Sequence, residues 1–81
     1  MAFIRRGNVK VPHKRDAKIV LTRLDGTPIL FFLIDINCWE EHHLSKSLGN
    51  VTTVYHFLSQ TAVRESFDMI DQEINGKAVA P

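Results

Sequence analysis

The stretch from Pro28 to Ile34 constrains this chain more than any other, because it is apolar without interruption. Asp25-Gly26 stands just before it, a dipeptide that accepts the positive φ angles of a tight hairpin turn. Upstream, residues 17 to 24 are dense in β-branched and apolar side chains and lack helical spacing. The pattern predicts a hairpin with strands over 17–24 and 29–36. Pro28 is tolerated because the first residue of a strand need not donate to the ladder. Along the second strand Ile29, Phe31 and Leu33 point one way, and Leu30, Phe32 and Ile34 the other. Both faces are therefore apolar. A chain of 81 residues buries only about 60–65% of the surface that its unfolded form exposes. One face needs cover from a C-terminal helix or from a second subunit. Self-association is the expectation, with Ile29, Phe31, Phe32 and Leu33 as its residues. A single cysteine, Cys38, leaves no internal disulfide to staple the core, which adds to the case for a homo-oligomer.

Downstream, Val51 to Leu58 alternates as a strand does. Ser59-Gln60 reads as a turn and Thr61 to Glu65 as a short last strand. Asn37 to Asn50 fits either an extended chain or a helical turn or two. Ser66 is a good N-cap, and Phe67, Ile70 and Ile74 follow at i, i+3, i+7. Asn75-Gly76 supplies a left-handed stop, so a helix of about ten residues is expected, too short to stand without docking. The expected fold is α+β and mainly β: a small antiparallel meander of about four strands with one C-terminal helix and a basic N-terminal arm. The arm covers 1–16, the domain 17–76, and a flexible tail 77–81. No secretory signal is legible. The longest apolar run falls far short of the roughly 20 residues that a membrane-spanning helix needs. The chain reads as cytoplasmic, with no membrane span.

The net charge of +1 conceals an asymmetry. Arg5, Arg6, Lys10, Lys14, Arg15 and Lys18 crowd the first eighteen residues against Asp16 alone, while most of the acids follow later. With Arg23 these cations form the candidate contact for an anionic partner, nucleic acid included. The arm has no aromatic residue after Phe3, so it offers little base-stacking surface.

Cys38, His42, His43 and His56 are residue types that bind zinc, but C-x3-H-H is no common zinc spacing. Adjacent histidines on a strand also point to opposite faces. No metal and no cofactor is expected. Glu40 and Glu41 read as solvated charges rather than an acid/base pair. No phosphate loop, dinucleotide fingerprint or metalloprotease motif occurs. A non-enzymatic protein without catalytic residues is expected.

Two short motifs carry a family resemblance. Leu21-Thr22-Arg23-Leu24-Asp25-Gly26 resembles the opening hairpin of the small flagellar and swarming-motility protein family (FlbD/SwrD-like). Val63-Arg64-Glu65-Ser66, running into Phe67-Asp68-Met69-Ile70, is similar to that family's closing strand and helix entry. The resemblance covers about residues 18–75. L-T-R-x-x-G is also similar to the opening of the carbon-storage-regulator family, a β-stranded RNA-binding dimer. The motility resemblance implies a small adaptor or regulator that acts through protein–protein contacts, with no cofactor. The alternative is a nucleic-acid-binding regulator that uses the basic arm.

Overall fold

The computed structural model describes residues 2–76. The anticipated hairpin joins strand β2 (Lys18–Thr22) to strand β3 (Pro28–Phe32) in antiparallel register, Lys18 opposite Phe32 and Thr22 opposite Pro28. Its turn is closed by Asp25, whose Oδ1 accepts from the Thr27 backbone N–H at 2.9 Å and the Thr27 hydroxyl at 2.7 Å. Gly26 sits at φ 95°, where a side chain would be strained. The chain then makes a 3₁₀ turn, Leu33–Asp35, and enters strand β4 (Ile36–Ser45). Strands β5 (Gly49–His56) and β6 (Ser59–Val63) follow, then helix α1 (Phe67–Asp71), which runs on as a π-helical turn over Gln72–Gly76.

A further strand, β1 (Ala2–Asn8), lies at the N-terminus and pairs antiparallel with β4. The strands form one sheet of order β1-β4-β5-β6 and the separate hairpin β2-β3. An isolated bridge, Arg23 to Val63, joins the two. There the Arg64 N–H donates to the Thr22 carbonyl at 2.8 Å. Thr22 in turn gives its backbone N–H and its hydroxyl to the two carboxylate oxygens of Glu65.

The fold class is the expected one, mainly β with a single C-terminal helix, and several details differ. Residues 2–8 are an edge strand and not a free arm, because Arg5 and Arg6 stand opposite Glu41 and Glu40 in the ladder. Such cross-strand charge pairs stabilise a strand whose own apolar pattern is poor. The ambiguous stretch 37–50 lies mostly in β4, extended between β1 and β5. The second strand of the first hairpin stops at Phe32, where the 3₁₀ turn redirects the chain. Finally, the β5–β6 turn is Phe57-Leu58 and not Ser59-Gln60, since His56 pairs with Ser59. A two-residue hairpin loop of this kind needs a positive φ, and Phe57 adopts 49°. The strain is held by two hydrogen bonds: Phe57 N–H to the Asp35 carbonyl at 2.9 Å, and Asn37 Nδ2 to the Phe57 carbonyl at 3.1 Å. The predicted tail, 77–81, lies outside the described residues.

The core is one cluster with three contributors. The four-stranded sheet supplies Trp39, Val54 and Val63; the hairpin supplies Ile19, Leu21 and Phe31; the helical segment supplies Phe67, Ile70 and Ile74. The i, i+3, i+7 stripe is thus the docked face of the helix. Ser66 caps it, its hydroxyl accepting from the Met69 N–H at 3.2 Å. Trp39 is fully buried and faces Gly7 across the β1–β4 ladder. A β-carbon at position 7 would fall 2.6 Å from Trp39 Cε2, so only glycine lets β1 lie against the indole.

Candidate functional site

Alternation along β3 divides its side chains between two destinations. Phe31 is buried, Ile29 packs partly against the core, and Leu33, in the turn after β3, is also buried. Leu30 and Phe32 point away from the core and are 51% and 40% exposed. Val20, directly opposite Leu30 in the register, is 58% exposed, and Ile34 in the following turn is 54% exposed. Of the four residues expected to self-associate, Phe31 and Leu33 belong to the core, Ile29 is half-buried, and only Phe32 reaches solvent. The outer face is made instead by Val20, Leu30, Phe32 and Ile34. The alternation was readable in the sequence, but which face the core would take was not.

The β5–β6 tip meets the same turn through the Phe57–Asp35 hydrogen bond. Phe57 and Leu58 are the most exposed apolar side chains here, at 74% and 90%. Monomeric proteins rarely leave apolar patches beyond a few hundred Å² in water, and larger ones mark contact sites.

The seven cations expected to meet an anionic partner separate into two groups. Arg5 Nε donates to Glu41 at 2.7 Å, its Nη2 lies 3.1 Å from Asp68, and its guanidinium stacks 4.1 Å from the Phe67 ring centroid. Arg6 donates to Glu40 from both Nε and Nη2. Arg23 Nη1 donates to the Thr27 hydroxyl and the Pro28 carbonyl. Arg5 and Arg6 tie β1 to β4, and Arg23 braces its own turn. Lys10, Lys14, Arg15 and Lys18 remain exposed. Lys18 Nζ lies 5.8 Å from the Phe32 ring centroid. The Lys14–Ala17 turn is tied to the end of β3 because the Ala17 carbonyl accepts from the Leu33 N–H at 2.9 Å. Lys18 therefore stands at one end of the apolar outer face, and the exposed Lys14 and Arg15 belong to the turn next to it.

A second cluster lies on the four-stranded sheet, on the face away from the core. Glu40 is buried there among its own neighbours. Beyond the two Arg6 bonds, its other oxygen accepts from the Tyr55 hydroxyl at 3.1 Å and meets His42 Nε2 at 3.1 Å. Burial pushes this carboxyl up, but the hydrogen bonds from Arg6, Tyr55 and His42, with the Arg6 charge, outweigh it and hold the group below its ordinary value. Burial, then the bond to Glu40 and its charge, push the Tyr55 phenol up. The reading of Glu40 as a solvated charge is corrected: it is a saturated acceptor on which three side chains converge. Arg5-Arg6 facing Glu40-Glu41 was the signal, visible only if the N-terminus is laid beside β4.

Cys38, His42, His43 and His56 do not converge. Cys38 and His42 share a face, but four residues along a strand set them roughly 13 Å apart. Burial raises the Cys38 thiol against the opposing pull of Arg6. His43 Nδ1 meets Asn50 at 2.9 Å, and His56 Nε2 meets the Thr61 hydroxyl at 2.9 Å while its ring packs on Phe31. Among the described residues no group of three or more His, Cys, Asp or Glu is arranged to hold a metal ion. A cleft of about 310 Å³ lies between Leu24, Leu44, Leu48, Val51 and Val63. Its polar groups are spent inside the chain: Arg64 donates to the Leu24 carbonyl, and Asn50 binds His43 and Glu41.

Among the described residues no helix is long and apolar enough to cross a membrane. Compared with protein-family models, curated proteins and solved structures, the chain finds no match among any of them.

Proposed function

We propose that this chain is a non-enzymatic docking module, an adaptor or regulator that acts through protein–protein contacts. The observation that carries the reading is the outer face of the β2–β3 hairpin, where Val20, Leu30, Phe32 and Ile34 stand in water although the opposite face of the same strands is core. The partner is a protein segment with apolar side chains for that face and carboxylates for Lys18 at its end and for Lys14 and Arg15 in the turn next to it. Apolar anchors supply most of the affinity in such contacts, while rim charges set the rate and register of approach. The resemblance of Leu21–Gly26 and Val63–Ile70 to the flagellar and swarming-motility family supports a setting in motility. The nucleic-acid alternative loses support, because Arg5 and Arg6 are ion-paired within the fold.

Site-specific photo-cross-linking tests the proposal. A benzophenone side chain at Val20, on the docking face, is compared in the native host with one at Thr53, on the four-stranded sheet. The expected result is one protein adduct at Val20, absent at Thr53, with the cross-linked peptide both apolar and acidic when sequenced. Equal labelling at the two positions, or an adduct peptide without acids, contradicts it.

A further inference from the structure

The parity of hydrogen bonds in the β2–β3 ladder leaves one edge of β3 open. Arg23 N–H donates to the Thr27 carbonyl and Leu33 N–H to the Ala17 carbonyl. These bonds bracket the register, so Leu21–Ile29 and Ile19–Phe31 are the hydrogen-bonded pairs and Val20–Leu30 and Lys18–Phe32 the non-bonded ones. Thr22 confirms the phase from β2, since both its backbone groups turn outward to Arg64 and Glu65. On β3, the N–H and C=O of Leu30 and Phe32 must likewise point away from β2. The hairpin has no third strand, and those groups meet no partner among the described residues. From Pro28 to Ile34 this edge also carries no charge. Edge strands that avoid pairing normally display charges, and an apolar one accepts another strand.

We propose that a second copy of this chain pairs with β3, edge to edge and antiparallel, about a two-fold axis at Phe31. Leu30 of each copy then faces Phe32 of the other, and each pair exchanges both backbone bonds. The result is one continuous sheet of order β2-β3-β3-β2. The fit is self-complementary in charge as well as in hydrogen bonding. The two-fold brings the Leu33–Asp35 turn of one copy to the Thr27–Pro28 end of the other. Arg23 holds its guanidinium there, on the Thr27 hydroxyl and the Pro28 carbonyl, with no carboxylate at ion-pair distance among the described residues. Asp35 has no ion pair among the described residues either. Each axis-related end therefore places a carboxylate without an ion pair beside a guanidinium without one. An isologous contact of this kind uses the same edge on both copies, so it closes as a dimer. It uses a different surface from the partner-docking face and does not depend on it: the outer faces of the two hairpins become one wider platform.

Sedimentation equilibrium on the full chain from about 1 to about 300 μM, a range that brackets micromolar affinity, is the test, read together with amide hydrogen exchange. The mass is expected to double across that range. The Leu30 and Phe32 amides should slow markedly at the high end, while those of Ile29 and Phe31 are protected throughout. Leu30→Pro removes an outward N–H without touching the β2–β3 ladder, and should stay monomeric at every concentration. If that variant does not fold, the exchange pattern of the unaltered chain decides. Asp35→Arg should weaken association several-fold, and adding Arg23→Asp should restore it. A monomeric mass at 300 μM, or a dimer whose Leu30 and Phe32 amides exchange at the dilute rate, overturns the proposal. So does a dimer indifferent to Asp35→Arg.

Discussion

Glu40 shows what a single residue contributes when its partners come from distant parts of the chain. Its folded carboxyl lies below the ordinary value of 4.5, so the fold favours the ionised form. A depressed carboxyl contributes stability above that value and loses it as the pH falls through the lower, folded one. The urea midpoint of the chain should therefore drop between pH 7 and pH 3.5. Glu40→Gln should start lower at pH 7 and lose less over the same interval. Equal acid sensitivity in the two proteins contradicts this account of Glu40. At Gly7 the constraint is steric. Gly7→Ala should cost about 1–3 kcal/mol, the usual range for overpacking a filled site, measured by chemical denaturation. Phe57 is the reverse case, because a bulky side chain at φ 49° is strained. Asparagine tolerates that region better, so Phe57→Asn should raise stability by about 0.5–1 kcal/mol, seen as a higher melting temperature.

At the scale of the element, β3 separates its two duties by side-chain parity. Phe31→Ala should cost about 3–5 kcal/mol, as for other buried aromatics. Phe32→Ala should cost about 0.5 kcal/mol or less, as for a surface site. Denaturation curves of the two variants check the division. The helix is held by its cap and its stripe, and Ser66→Ala should cost about 1 kcal/mol. These elements were legible because their signals are local: Asp25-Gly26 for the turn, alternation from Val51 to His56 for β5, and Phe67, Ile70, Ile74 for the docked face. β1 and β4 were not. Read alone, Arg5-Arg6 looks like part of an arm and the run Glu40-Glu41-His42-His43 fits strand or helical turn equally, and their stabilising partners lie 34 to 36 residues away. The Phe57-Leu58 turn was missed for a related reason. The bonds that hold its unfavourable backbone come from Asp35 and Asn37, in another part of the chain.

For the whole molecule, the N-terminal segment completes the fold instead of extending from it. Strand β1 carries Gly7 against Trp39 and ties Arg5 to Glu41 and to Asp68 of the helix. Asn75 closes the other side, donating to the Asn8 carbonyl and accepting from the Lys10 N–H. Asp35, Asn37 and Phe57 lock the β5–β6 tip to the end of β3, so the apolar surfaces of the hairpin and the tip are held at one end of the structure. In the proposed function the outer face of β2–β3 is spare for folding and used for contact. A paired comparison of Phe32→Lys with the unaltered chain tests this most directly, reading the melting temperature and the retention of the cross-linked partner in the same preparation. The expected result is a melting temperature within a few degrees of the original, as for a surface substitution, and loss of the partner. A folded Phe32→Lys protein that keeps its partner, or one that unfolds, contradicts it.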